Sequence, residues 1–549
     1  MATVRIYIDD EPVDVEAGTN LLAALLEAGH ALPHPCHHPA LSSPASCRLC
    51  LVALAEPSGP GQPAESRMVT ACNRTVEEGQ RLSVRQEQVA AARSGLVDDL
   101  LLRHPAECAI CERAGECEVQ EAAATHGDGT TKTTLPADRP RVELGPRLVL
   151  DRNRCILCTR CVRFDAEVSG GAGLAVYGSG AAAVIDTCGA GPIDHELTGN
   201  LLDLCPAGAL SEPGERMRPP PWQLTGVSSV CPGCASGCAT RIDVANGVVH
   251  RVKPRSDGDD AQGYWLCDTG RYGWQIEDDR LLALRLHGQE SEWDAAFAVV
   301  AERMEQAKAA AVLLSPYLTN EETFLLANLA LRWEADLFLW QAEEPRGDRT
   351  FPGGFSIKAQ RGPNVAGVTA VVDVLDLMLA DSSDLSRRVA AGDVDAVYAV
   401  GGSLHGEGPD LSLPEDVFHA RQEVMCLPGL EAADVVLAGG SAWTEKDGTF
   451  IDGQGRLQRV RAAVRPAGEA RPDFWIFAAL WHGGPNRDSP DQAFSRLARS
   501  SAEGPFARLD YGVLESRSRP AEGVAFGGGW TSHLQRRGLI AVEDHAKRR

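Results

Sequence analysis

No apolar stretch in this 549-residue chain approaches the ~20 residues that a membrane-spanning helix requires. The longest candidate, residues 368–380, is interrupted by Asp373 and Asp376. The chain is therefore expected to be soluble, or peripheral to something that is not. Runs of Lys and Arg of the nucleic-acid-binding kind are also missing, and 53 Lys+Arg against 76 Asp+Glu leave a net charge of −23. Duplex binding depends on neutralising phosphates with basic side chains, so nucleic acid is not an expected partner. The N-terminus, MATVRIYIDD, reads as a strand followed by acidic residues and not as a secretory leader. No G-x-x-x-x-G-K-[ST] phosphate loop occurs, and no nucleophile–base pair stands out. Residues 276 to 425 contain no cysteine.

That last gap is notable because the chain has 17 cysteines, most of them in its first half. Without a secretory signal, close Cys-x-x-Cys pairs read as metal ligands in a reducing compartment. They fall into four sets of four ligands. The first is Cys36, Cys47, Cys50 and Cys72 (C-x10-C-x2-C-x21-C). The second is His104, Cys108, Cys111 and Cys117 (H-x3-C-x2-C-x5-C). Cys155, Cys158 and Cys161 with the distant Cys205-Pro206 make the third. The fourth is Cys231, Cys234, Cys238 and Cys267 (C-x2-C-x3-C-x28-C). The histidine is drawn into its set because the three cysteines beside it lack a fourth partner. Pro105 after it disfavours helix continuation, so a ligand loop begins where the preceding helix stops. A neutral imidazole in place of a thiolate makes a cluster less negative and raises its potential. Zinc, held by four cysteines or by three and a histidine, is the competing reading of these sets.

The context of each set adds a fold. Before the first set, residues 4–15 alternate as a hairpin, and Thr19-Asn20 can cap a helix carrying Leu21, Leu22, Leu25 and Leu26, which Gly29 ends. Strand, strand, helix and cysteine loop resemble a β-grasp ferredoxin with a [2Fe-2S] cluster. Residues 58–64 look like a loop insertion, and residues 86–103 like a helix. The third set resembles a bacterial ferredoxin from which the second cluster is missing, since position 165 is Asp165 and residues 189–204 hold no cysteine. Cys188 reads as an ordinary thiol and Cys426 as a core thiol. Gly178-Ser-Gly180-Ala-Ala-Ala183 fits a loose dinucleotide pattern, but Asp186, Thr187 and residues 189–192 break the helix that the fingerprint needs. After Pro219-Pro220-Pro221, the fourth set with Gly270-Arg271-Tyr272-Gly273 resembles the N-terminal [4Fe-4S] domain of molybdopterin oxidoreductases. From residue 293 helix and strand alternate: 293–304 and 320–333 as helices, 311–314, 396–400 and 433–438 as strands. This is an α/β pattern with a parallel sheet.

Taken together, residues 1 to 448 resemble the G-type iron–sulfur subunit of bacterial NADH-quinone oxidoreductase (respiratory complex I), shortened at the C-terminus. The expected fold class is a series of α+β iron-sulfur modules followed by an α/β molybdopterin-oxidoreductase-like domain. The expected organisation is a β-grasp [2Fe-2S] ferredoxin over 1–82 and a [4Fe-4S] segment with one histidine and three cysteine ligands over 83–124. A [4Fe-4S] ferredoxin-like module follows over 125–218, then a [4Fe-4S] domain over 219–276, a degenerate α/β domain over 277–484, and a mobile or partner-bound tail over 485–549. The resemblance implies one [2Fe-2S] and three [4Fe-4S] clusters, no molybdopterin, and no substrate site in this chain. It implies an FMN- and NADH-binding partner, a small [2Fe-2S] subunit and membrane-arm connecting subunits, with the complex at the cytoplasmic face of the inner (plasma) membrane. Electrons would pass the first, third and second sets toward quinone, with the Cys231 set off that path. A soluble NAD-linked hydrogenase or formate dehydrogenase shares the first three sets and is the alternative.

Overall fold

A computed structural model describes residues 2–55, 66–105, 107–127, 139–189, 191–214, 218–255, 262–275, 279–405, 408–409, 411–484, 488–501, 504–517 and 524–525. They group into two compact units, Met1–Leu224 with Phe351–Gly353, and Thr225–Thr350 with Gly354–Arg549. The insertion at 58–64 and most of the polar linker at 125–138 lie outside the described residues.

The first unit opens with the hairpin of β1 (Thr3–Ile8) and β2 (Glu11–Glu16), turned at Asp9-Asp10, both at positive φ. With β3 (Leu51–Ala55), β4 (Ser66–Thr70) and β5 (Arg81–Ser83) it forms a sheet in the order β2-β1-β5-β3-β4. Ile6, Ile8 and Val15 alternate onto one face, against Leu21, Leu22 and Leu25 of α1 (Leu21–Glu27). Asn20 caps that helix, its Oδ1 accepting from Leu22 N at 3.0 Å and Ala23 N at 3.3 Å, while its Nδ2 donates to Cys72 O at 2.8 Å. One side chain thus ties the helix start to a candidate ligand. Asn20→Ala is expected to cost about 1–2 kcal/mol in a chemical denaturation experiment; a loss of only a few tenths would show that the cap is not used.

Helix α2 (Glu87–Leu101) stops just before His104, and α3 (Glu118–His126) starts just after Cys117. Next come β6 (Arg141–Gly145), β7 (Leu148–Asp151), α4 (Arg160–Phe164), the hairpin β8 (Leu174–Tyr177) and β9 (Val184–Thr187), α5 (Asn200–Leu204) and β10 (Leu210–Ser211). The glycine-rich dinucleotide look-alike is the turn of the β8–β9 hairpin and opens no α-helix.

The second unit begins with the meander β11 (Thr225–Val230), β12 (Ala239–Ala245) and β13 (Val248–Pro254), then α6 (Asp268–Tyr272). β14 (Arg285–Leu286) and β15 (Gln289–Glu290) lie on the antiparallel edge of a large sheet. Its parallel strands are β16 (Ala310–Leu314), β17 (Asp336–Leu339), β20 (Leu379–Asp381), β21 (Ala396–Val400), β22 (Phe418–Glu423) and β23 (Val435–Ala438), with the small hairpin β18 (Arg349–Thr350) and β19 (Ser356–Ile357) between them in sequence. Numbered by sequence, the parallel strands stand in the order 3-2-1-4-5-6, a doubly wound arrangement. Helices α7 (Trp293–Gln306), α8 (Asn320–Arg332), α9 (Val365–Val374), α10 (Ser382–Ala390) and α11 (Asp473–His482) belong to this unit, as does the β24 (Gly448–Ile451) and β25 (Arg456–Val460) hairpin. Most of the central strands are apolar runs, as burial on both faces requires. Among the described residues no helix is long and apolar enough to cross a membrane.

Two expectations need correction. The region after 484 is not simply a tail: α12 (Pro490–Ser500) and α13 (Tyr511–Arg517) belong to the second unit. Phe494, Leu497, Phe506 and Leu514 are buried against Phe324, Ala370 and Leu457, and Tyr511 Oη donates to Glu321 Oε1 at 3.0 Å. Its apolar residues recur at helical spacing, and burying them outweighs the Ser, Gly and Arg content that suggested mobility. Cys426 is exposed and not a core thiol, because β22 ends at Glu423 and the chain then turns to the rim of the sheet. Cys188 is half-buried and donates to Ala172 O at 2.5 Å.

Candidate metal centres

The first three ligand sets all lie in the first unit. In the first, Cys36, Cys50 and Cys72 are buried and Cys47 is half-buried. The loop before Cys50 turns through residues in the left-handed region, Ala45 (φ 52°) and Arg48 (φ 58°), which brings its thiols round to Cys36 and Cys72. Cys47 and Cys72 donate to Cys36, and Cys72 also to Cys50. Those bonds draw the Cys36 thiol down and Cys50 to about 7, while the donors Cys47 and Cys72 are pushed up. The four sulfurs therefore converge.

The third set wraps through two more left-handed residues, Leu157 (φ 55°) and Thr159 (φ 57°), placed between the cysteines. Cys158 and Cys161 are buried, and Cys205 accepts from Ala209 N at 3.3 Å. Burial pushes Cys155 up to about 11 and Cys158 up to about 12, and raises Cys161 further in the same direction. Burial here favours thiol over thiolate, so a bound cation must displace protons to recruit these ligands.

The second set adjoins the third, since Glu118 N donates to Pro206 O at 2.9 Å and Cys117 faces both Cys111 and Cys205. Cys117 also serves as the N-cap of α3, its Sγ accepting from Gln120 N at 3.5 Å. His104 is held neutral chiefly by burial, and its ring bonds to the Arg154 backbone. A histidine fixed through one ring nitrogen can present the other to a metal. Cys108 is exposed and Ile110 beside it is 82% exposed, so this loop reaches the surface of the unit.

The fourth set belongs to the second unit and is wholly buried. Cys231 accepts from Gly233 N at 3.4 Å, and Cys267 caps α6 by accepting from Gly270 N at 3.3 Å. Burial pushes Cys267 up to about 12 and raises Cys231 as well. Gly237 at φ +60° lets the loop approach Asp452 and Gln458, where a Cβ would stand 2.5 Å from Asp452 Cβ. Gln458 Nε2 donates to Gly237 O at 3.0 Å, and Gly453 N to Ala235 O at 2.7 Å. The segment from Asp452 to Gln458 thus clasps this ligand loop.

Among the described residues no group of three or more His, Cys, Asp or Glu closes on one point as the ligands of a single ion do. The mutual bonding of the first set and the electrostatic contacts of Cys158 with Cys155 and Cys205, of Cys117 with Cys111, and of Cys231 with Cys234 and Cys267 bring those residues together, whereas among the described residues His104 and Cys108 show no such contact with the rest of their set. Four sulfurs also accept backbone N–H bonds, the contacts that tune cluster potentials. The donor sets fit iron–sulfur clusters.

The sequence reading missed three arginines that join these loops. Arg154 donates to Glu112 at 2.8 Å and to Glu107 at 3.2 Å, the neighbours of Cys111 and Cys108. Arg163 donates to Cys36 O at 2.6 Å, Cys158 O at 3.2 Å and Ser42 O. Arg160 reaches Glu118, Leu204 and His34. Each sits one or two residues from a cysteine, but nothing in its local sequence marks how far it reaches.

In the doubly wound sheet a ligand would enter outside the carboxyl ends of β16 and β21, where the strand order reverses. There Ser315 Oγ donates to Gly401 O, Gly402 N (φ +102°) donates to Glu423 Oε2 at 3.2 Å, and Trp340 Nε1 to Val400 O at 2.8 Å. Lys446, 1% exposed, donates to Tyr317 O and Glu322 Oε2, both at 3.1 Å, and to Asp473. These bonds tie the chain's own side chains together at that end of the sheet.

Family models match the chain in the same order as the ligand sets. They are a 2Fe-2S iron-sulfur cluster binding domain (residues 1–87), an NADH-ubiquinone oxidoreductase-G iron-sulfur binding region (93–130) and an NADH-quinone oxidoreductase subunit 3 ferredoxin-like domain (145–211). A molybdopterin oxidoreductase Fe4S4 domain (224–279) and a molybdopterin oxidoreductase domain (352–482) follow. The chain is 33% identical to NADPH-Fe(3+) oxidoreductase subunit alpha of Geobacter sulfurreducens over 59% of its length and 38% of that protein. It is 31% identical to the NADH-quinone oxidoreductase G subunit of Streptomyces coelicolor over 60% and 39%. With the mitochondrial NADH-ubiquinone oxidoreductase 78 kDa subunit of Candida albicans the identity is 26%, over 87% and 82%. The matched region spans less than half of the first two relatives. In the kind and order of its iron–sulfur domains the chain resembles the G subunit of NADH-quinone oxidoreductase.

Proposed function

We propose that this chain is the iron–sulfur electron-transfer subunit of an NADH-quinone oxidoreductase, working between an FMN-bearing NADH-oxidising partner and quinone. The observation that carries the reading is the succession of four ligand sets, three of them linked within one compact unit. On this reading Cys36, Cys47, Cys50 and Cys72 hold a [2Fe-2S] cluster. His104 with Cys108, Cys111 and Cys117 holds a [4Fe-4S] cluster, Cys155, Cys158, Cys161 and Cys205 a second, and Cys231, Cys234, Cys238 and Cys267 a third. Bound clusters supply one-electron carriers. The chain's own work is to bind them, hold their spacing and set the charge around them.

The α/β unit is then a scaffold derived from a pterin enzyme, with Lys446 bonded to Glu322 and Asp473 inside it. A small [2Fe-2S] subunit and membrane-arm connecting subunits complete the assembly, which sits at the cytoplasmic face of the plasma membrane. The likeness to NADPH-Fe(3+) oxidoreductase subunit alpha favours a second reading, an electron-transfer subunit of a soluble NAD(P)H-linked complex. Anaerobic purification with metal counting tests what both share: about fourteen irons per chain are expected. About four zinc ions and little iron would overturn it. A quinone-reducing, membrane-associated holo-complex favours the first reading, and a soluble one the second.

A further inference from the structure

We propose that Arg160 is a positioning residue that locks the three ligand loops of the first unit together and sets the charge they share; this rests on the iron–sulfur reading above. It stands between Cys158 and Cys161, inside the third ligand loop. The residue is buried, 5% exposed. One guanidinium nitrogen donates to Glu118 Oε1 at 2.6 Å and to Leu204 O at 3.4 Å; the other donates to Glu118 Oε2 at 3.0 Å and to His34 O at 3.2 Å. Glu118 follows Cys117, Leu204 precedes Cys205, and His34 lies two residues before Cys36. A single planar fork therefore touches the neighbours of ligands from all three sets.

The chemistry requires arginine. The bidentate bond to Glu118 fixes a distance and an orientation, and the remaining N–H groups reach two carbonyls in directions that one ammonium cannot cover together. The charge is as important as the shape. Glu118 is 37% exposed at its side chain whereas Arg160 is 6% exposed, so the cation is the better shielded partner and acts through protein, not water. Arg163, one helical turn on, braces the same junction through Cys36 O and Cys158 O, carbonyls of the first and third sets. Of the three arginines, Arg160 is the one whose bonds reach every loop.

The test uses the full chain, purified anaerobically, with each cluster's midpoint potential read by EPR-monitored redox titration. Arg160→Gln is expected to lower the potentials of the Cys155 and His104 sets together, because it removes a positive charge and leaves Glu118 uncompensated. Glu118→Gln keeps one acceptor for Arg160 while removing the carboxylate charge, and is expected to move the His104 set the opposite way, upward. Arg160→Lys, which keeps charge but loses the fork, is expected to restore most of the potential while broadening the EPR lines of both sets. Clusters intact in Arg160→Gln at unchanged potentials would overturn the proposal. If Arg160→Gln loses its clusters, Arg160→Lys decides: broadened lines of both sets at near-wild-type potentials support the assignment, and spectra and potentials identical to the wild type end it. A wild-type chain without iron would instead end the reading on which the proposal rests.

Discussion

Lys446→Met is expected to lower the stability of the α/β unit by about 3–5 kcal/mol, the cost of leaving one side of a buried ion pair uncompensated. Lys446 pairs with both Glu322 and Asp473, and all three side chains are at most 2% exposed. Burial holds Glu322 up at about 7 even with Lys446 beside it. Glu321, the next residue back, is held at about 7 by burial too, despite bonds from Thr449 and Tyr511. The sign follows from those raised values. A carboxyl near 4.5 unfolded and about 7 folded favours the fold below pH 4.5, and that contribution fades as pH rises through 7. Each such shift is worth about 3 kcal/mol. Removing Lys446 removes an influence that lowers Glu322, so the deficit of the variant is expected to be largest above about pH 8 and to shrink toward about pH 5. Urea denaturation followed by tryptophan fluorescence at both pH values measures it. A deficit equal at the two would mean that Glu322 does not take up the proton.

The other large effect concerns the histidine. His104→Cys is expected to keep its cluster and lower its midpoint potential by on the order of 100 mV, because a thiolate adds negative charge where a neutral imidazole stood. The position suits the exchange: burial keeps the ring neutral, and its bond to the Arg154 backbone fixes its orientation. An EPR redox titration in which no cluster moves would remove His104 from the ligand set. A second variant, Cys108→Ser, is expected to lose about four irons instead of shifting a potential, and so separates tuning from binding.

The candidate ligands were legible in the linear chain because most of each set is closely spaced along one loop, and that spacing survives in the letters. So were the β1–β2 hairpin, the Asn20 cap and the apolar strands β16, β21 and β23, where period and burial coincide. β22 was not. Phe418-His-Ala-Arg-Gln-Glu423 carries four polar or charged residues and no apolar period, yet all six residues are buried in the centre of the sheet. It is tolerated because Arg421 pairs with Glu423 at 2.9 Å and Gln422 accepts from Tyr398 Oη at 2.6 Å, partners that no local pattern reveals. The same reason hid α12 and α13, whose apolar residues only acquire partners when α8, α9 and β25 are in place.

Sequence alone determined the candidate ligand sets, since residue identity and spacing can be read along the chain. Only the tertiary structure decided what stands between the loops. The bonds of Arg154, Arg160 and Arg163 span up to 127 residues, and that of Lys446 to Glu322 spans 124. Charge at such separations is brought together by the fold, and it is there that the loops carrying the cysteines are joined.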